Sequence, residues 1–168
     1  MFPIMLDLSD LKVLLIGTGA AFEKRKKLLE EAGAGNLKIF KNVPEKQEFE
    51  GVSVIFAAGL DENEGRKLSG LAKEKNILLN TEDTAKWCNF HVPAMVRRGD
   101  LLITSSTGGK SPYLARRIKS ELEEIFGEEW AERLEYIANE RLKWKKQGMV
   151  FNEITKKSEE LVNKEGWF

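Results

Sequence analysis

The stretch that most restricts the fold is "KVLLIGTGAAFEKRKKLLEEAG", residues 12–33. An uninterrupted apolar run runs straight into Gly17-Thr18-Gly19, and a charged, amphipathic segment follows. A short run that is apolar at successive positions suits a strand buried on both faces, as in the interior of a parallel sheet. In the next segment Phe22, Leu28, Leu29 and Ala32 fall close to one helical face. Glu23 to Lys27 and Glu30 to Glu31 supply a wet face, and Gly33 is a natural stop. The order is strand, glycine turn, helix.

The alternation continues. "LKIF" (37–40), "VSVIFAA" (52–58), "NILLN" (76–80) and "DLLITSS" (100–106) read as further strands, with a weaker helix in "ENEGRKLSGLAKEK" (62–75). Strands alternating with helices imply parallel pairing, because a crossover needs a helix's length of chain. The expected fold class is therefore α/β, with a Rossmann-like parallel sheet over residues 1–110. From Ser111 onward the pattern is helical only. Ser111 can cap a helix with Pro112 at its first position, and Leu114, Ile118, Leu122 and Ile125 follow at helical spacing up to Gly127. A second helix over 128–147 places Trp130, Leu134, Ile137 and Trp144 on one stripe, and a shorter one spans 152–164. The expected division is 1–110, a helical region 111–147, and a small helical C-terminal part 148–168. Apolar stripes of this kind seek a second surface.

Charge narrows the partners. Lys+Arg and Asp+Glu are equal at 27 each, so no overall field draws the chain to nucleic acid or to an anionic membrane. The lone Cys88 excludes an internal disulfide and fits a reducing compartment. "MFPIMLDLSD" is too short and too acidic for a signal peptide, and no apolar run approaches the roughly 20 residues of a membrane span. A cytoplasmic protein is expected.

Glycines after a strand let the backbone approach a pyrophosphate, whose charge the helix start favours. Gly17 and Gly19 suit this. Phe22, however, stands where the dinucleotide fingerprint wants a small residue, and Lys41 and Asn42 stand where an acid is expected after the second strand. By motif alone, dinucleotide binding and a merely connecting turn both stay open. A second cluster lies at 78–112. Asp83 falls just beyond a strand's C-terminal end, where open α/β sheets bind ligands, and Ser105, Ser106, Thr107, Gly108, Gly109 and Lys110 form a hydroxyl- and glycine-rich anion cradle. The plain alternative is a capped strand-to-helix turn.

The glycine turn, "AAGLDE" after the third strand, "NTED" (80–83), "FHVPA" (90–94) and "STGGKSP" (106–112) together resemble the precorrin-2 dehydrogenase/sirohydrochlorin ferrochelatase family of siroheme biosynthesis. The match is ordered, covers most of residues 3–147 and runs without gaps from Asp83 to Pro112. The resemblance implies NAD+-dependent oxidation of precorrin-2 to sirohydrochlorin, in some members with iron insertion, by homodimers built from a Rossmann-like domain and a helical dimerisation region. It implies Asp83 as the catalytic base, with Gly17, Thr18, Gly19, Ala20, Ala21, Asn42, Val43, Ala58 and Gly59 about the NAD. Ser106, Thr107, Gly108, Gly109, Lys110 and Ser111 would meet the carboxylate-rich tetrapyrrole. Arg116 and Arg117 would assist or simply be solvated.

No metal ligand set is expected: His91 is the sole histidine, more simply packed in place, and Cys88 is expected to be a small buried residue. Three departures touch the dinucleotide side: Phe22, Gly59-Leu60 in place of a Thr-Asp pair, and a shortened segment between the second and third strands. Two other readings follow from these, a chelatase that has lost NAD, and a non-catalytic tetrapyrrole- or partner-binding protein.

Overall fold

The computed structural model describes residues 1–82 and 84–168. The chain divides into two compact units, Met1–Val92 and Pro93–Phe168.

The first unit is a four-stranded parallel sheet. Its strands are β1 (Lys12–Gly17), β2 (Asn36–Phe40), β3 (Val54–Ala58) and β4 (Leu78–Thr81), in the spatial order β2-β1-β3-β4. Helix α1 (Ala20–Glu31) follows β1, and α2 (Glu62–Glu74) follows β3. Successive residues of β1 serve opposite faces, as the pleat requires. Leu14 and Ile16 join Phe49, Ile55, Leu68, Ala72 and Leu79 in one cluster. Val13 and Leu15 join Phe22, Leu29, Val54 and Phe56 in the other. These four β1 side chains are fully buried, each contributing about 1.5–3 kcal/mol. This explains why the run reads as continuous rather than alternating.

The helix expected to be weak, α2, is strengthened at its start. The Asp61 carboxylate accepts from the Glu64 N–H at 2.8 Å, and the Glu64 carboxylate accepts from the Asp61 N–H at 3.0 Å. Such a box contributes about 1 kcal/mol.

The outer edge of β4 is closed by side chains. Asn89 accepts from the Leu79 N–H at 2.7 Å through Oδ1 and donates to the Ile77 carbonyl at 2.8 Å through Nδ2. Cys88 Sγ accepts from the Thr81 N–H at 3.2 Å. Asn89 thus imitates a neighbouring strand, and the edge offers less to a foreign one. Cys88 is half-buried and hydrogen-bonded rather than simply packed away.

The second unit begins with a correction to the expected parallel sheet. The 100–106 run forms β6 (Leu101–Ser105), which pairs antiparallel with β5 (Ala94–Arg98) in a separate two-stranded sheet. The reason is the connection: only Gly99 and Asp100 separate the two strands, and parallel partners need a long crossover. Gly99 takes φ +57 at the first turn position, as a II′ hairpin turn requires. The parallel unit therefore closes at Val92, before residue 110.

Helices α3 (Pro112–Ile125), α4 (Trp130–Lys146) and α5 (Phe151–Lys164) complete the unit. Ser111 caps α3 by accepting from the Leu114 N–H at 3.2 Å, with Pro112 leading the helix. Trp144 and Ile154 are buried on α4 and α5, and Arg141 donates to Ser158 Oγ at 3.0 Å. Trp130 packs at tilted and edge-on angles against Phe126, Trp167 and Phe168, with the Arg133 guanidinium 5.0 Å from its ring centre. Among the described residues, no helix is long and apolar enough to cross a membrane.

Candidate functional site

The strand order creates a switch point between β1 and β3, because β2 lies on one side of β1 and β3 on the other. Ligands of open α/β sheets bind in the crevice outside the strand ends at such a point. Here the two ends lock backbone to backbone. The Thr18 N–H donates to the Ala58 carbonyl at 3.2 Å. A Cβ on Gly17, at φ +123, would stand 1.7 Å from the Ala58 oxygen, and one on Gly59, at φ +70, would stand 2.7 Å from the Thr18 oxygen. Each glycine is required by the strand end opposite it.

The turn then opens outward. Gly17 is buried, whereas Thr18, Gly19 and Ala20 are exposed. Gly19 caps α1 at φ +93 with open space where a side chain would be. No side chain bonds to this helix start among the described residues. Its first-turn N–H groups, at Ala20, Ala21 and Phe22, therefore keep their capacity for an anion. A cradle of bare backbone beside a helix N-terminus fits the pyrophosphate of a dinucleotide. Phe22 does not obstruct it: the ring is buried in the α1-side core, where Ala21 and Ala58 are the small members of the same cluster.

The structure brings Gly17, Thr18, Gly19, Ala20, Ala21, Ala58 and Gly59 to this one sheet edge. Beside it, Asn42 is exposed, while Val43 packs partly into the α2-side core. Ala58 is buried, so it offers only backbone.

Asp83 lies outside the described residues. Its sequence neighbour Glu82 is tightly placed: the Glu82 N–H donates to the Ala57 carbonyl at 2.8 Å, and its carboxylate meets Arg25 at 2.7 Å. The Arg25 side chain is only 12% exposed and lies 5.3 Å from the Phe56 ring centre, whose edge contacts Phe90. Arg25 thus departs from the solvated face expected for residues 23–27. The sequence signal was thin, since one charged residue within a run of five does not announce a distant partner. His91 is exposed rather than packed in place. Among the described residues, no three His, Cys, Asp or Glu side chains converge as a metal site.

In the second unit, Ser106 to Ser111 form one loop whose hydroxyls serve the loop itself. Thr107 Oγ1 accepts from the Ser111 N–H at 3.2 Å and donates to the Ser111 carbonyl at 3.1 Å. Ser106 Oγ accepts from the Gly108 N–H at 3.2 Å. Gly108 and Gly109 take φ +62 and +79. Ser106, Gly108, Gly109 and Lys110 are exposed, so the loop is a preformed turn with a cation at its tip.

A family model described as "Putative NAD(P)-binding" matches residues 4–94. The siroheme synthase of Methylobacillus flagellatus is 30% identical over 142 residues, covering 73% of this chain and 30% of that protein. The siroheme synthase of Citrobacter koseri is 28% identical over 170 residues, covering 90% and 37%. The chain thus spans about a third of the length of these relatives. A solved structure titled "SirC, precorrin-2 dehydrogenase" shares the fold at a TM-score of 0.77 and 22% identity, over 96% of this chain and 89% of that one.

Proposed function

The chain belongs to this NAD(P)-binding family, whose model covers more than half of it, and from that premise we propose that it is an NAD+-dependent dehydrogenase that oxidises precorrin-2 to sirohydrochlorin. The observation that carries the reading is the interlocked Gly17–Gly59 crossing at the switch point, with the uncapped start of α1 beside it. The crossing fixes the two strand ends, and the open α1 start beside it leaves N–H groups for an anion. The substrate comes from the likeness to siroheme synthases and from the 106–112 motif.

Bound NAD+ supplies a hydride acceptor at its nicotinamide ring. The chain does the rest. Backbone N–H groups at 20–22 would hold the pyrophosphate, and Gly59 keeps the neighbouring strand end close to the turn. The Asp83 carboxylate takes the proton released as the hydride departs, the task of a positioned general base. Glu82, the adjacent carboxylate, is committed to Arg25 and does not compete for that role. Lys110 and the loop N–H groups meet substrate carboxylates. The exposed α3 residues Tyr113, Leu114, Ile118 and Ile125 form the contact of a homodimer, and a free Cys88 accords with the cytoplasm.

The test is anaerobic turnover of freshly made precorrin-2, followed by the sirohydrochlorin spectrum. NAD+ should be required, and Asp83→Asn should lower the rate by about 10²–10⁴-fold with NAD+ affinity unchanged. Full activity in Asp83→Asn would remove Asp83 from the mechanism. Indifference to NAD+ would remove the dehydrogenase.

A further inference from the structure

The cofactor seat carries a second signal, at the end of β2. β1 and β2 are parallel neighbours whose last register pair is Ile16 with Phe40. Gly17 and Lys41 therefore leave the sheet side by side, at the same edge. A dinucleotide with its pyrophosphate on the 17–21 turn sets its adenosine ribose over the end of this second strand. In NAD-selective sites a carboxylate here accepts the ribose 2′-hydroxyl, and the same carboxylate repels a 2′-phosphate.

This chain has the opposite chemistry at that place. Phe40 is followed by Lys41 and Asn42, both exposed. The next acid, Glu45, comes only after Val43, which is drawn into the core, and Pro44. Two of the neighbouring lysines, on β1 and β2 themselves, are engaged. Lys38 pairs with Glu48 at 2.9 Å, and Lys12 donates to the Glu48 and Glu50 carbonyls at 3.0 and 2.7 Å. Lys41 has no ion-pair partner among the described residues. An unengaged ammonium beside an amide donor, with no carboxylate on the strand end, is a phosphate-binding pair.

We infer that Lys41 is a specificity-determining residue that admits the 2′-phosphate, so that the site binds NADP+ at least as tightly as NAD+. The inference rests on the NAD(P)-binding reading and deepens it.

Calorimetric titration of NAD+ and NADP+ into the full-length protein tests it without reference to turnover. The wild type should bind NADP+ with a Kd no larger than that for NAD+. Lys41→Ala should weaken NADP+ by about tenfold and leave NAD+ within about twofold. Lys41→Glu should weaken NADP+ further, and an unchanged melting curve would show that neither variant disturbs the fold. NADP+ binding tenfold weaker than NAD+ in the wild type, or equal loss of both dinucleotides in Lys41→Ala, would overturn the inference while leaving the proposed function standing. Binding of neither dinucleotide by the wild type would overturn both.

Discussion

The two units solve the problem of burial differently. In the first, β3 and all of β1 after Lys12 are buried and a helix flanks each sheet face, so the strand ends are backed by the core. In the second, Val96, Trp144 and Ile154 are the buried hydrophobic residues among those described, while Tyr113, Leu114, Ile118, Ile125, Leu142, Val150 and Phe151 are exposed. A rigid sheet can present bare backbone to a ligand in a fixed geometry. A helical unit that leaves apolar stripes uncovered is built to be completed by another surface. The contrast fits the proposed division of labour, with cofactor chemistry on the first unit and assembly on the second.

The sharpest way to break the contrast is Gly17→Ala. The new methyl group would fall on a backbone oxygen, in a conformation that L residues rarely adopt, and no rotamer can relieve a Cβ. A loss of about 4 kcal/mol, or an insoluble product, is expected in thermal or urea unfolding. A near-wild-type melting point would mean that the strand ends are not locked. Next comes Asn89→Ala, which strips two hydrogen bonds from the edge of β4. Urea titration should show a loss of about 1–3 kcal/mol, and no change in midpoint would show that solvent serves that edge equally well.

On the second unit, Leu114→Asp with Ile125→Asp should change the stability of the single chain by less than about 0.5 kcal/mol per site, because both positions are exposed. If the proposed homodimer pairs through α3, light scattering should nonetheless show the mass halved. An unchanged dimer mass would move the interface off α3. The smallest effect concerns acid. Lys38, Lys75 and Lys86 hold the carboxyls of Glu48, Glu50 and Glu62 below the usual carboxylate range, through hydrogen bonds and charge. A depressed folded pKa adds stability above the unfolded value, and that stability is lost as pH falls through the folded one. Glu50 and Glu62 are exposed and Glu48 is half-exposed, so solvent screens them. The melting point should dip slightly from pH 5 downward, and a rise over that range would contradict the sign.

Much of the first unit was legible because its signals are local. A run apolar on both faces, a glycine pair and an amphipathic repeat specify β1, the turn and α1 without distant help, and Ser111-Pro112 announces α3 in the same way. Three features were not legible. The pairing of β6 depended on reading "AMVRR" as a strand and Gly99-Asp100 as its turn. The Arg25–Glu82 ion pair joins residues 57 apart in sequence, and periodicity carries no such information. Phe22 was legible as part of the apolar face of α1, but the small neighbours that accommodate it under the turn, Ala21, Ala34 and Ala58, were not. The glycines of the candidate turn were readable, but the reason for Gly17 and Gly59, each facing a carbonyl on the other strand end, was not.

The central claim is that the β1–β3 crossing seats a dinucleotide, and Gly19 tests it most directly. Nothing lies within 4 Å of its Cβ position, so Gly19→Val would strain the backbone by about 1–3 kcal/mol and would project a side chain over the turn. Titration of NAD+ and NADP+ into wild type and Gly19→Val, with melting curves alongside, should show binding in the wild type and its loss in a variant that remains folded. Undiminished binding by a folded Gly19→Val protein would place the dinucleotide elsewhere and contradict the account.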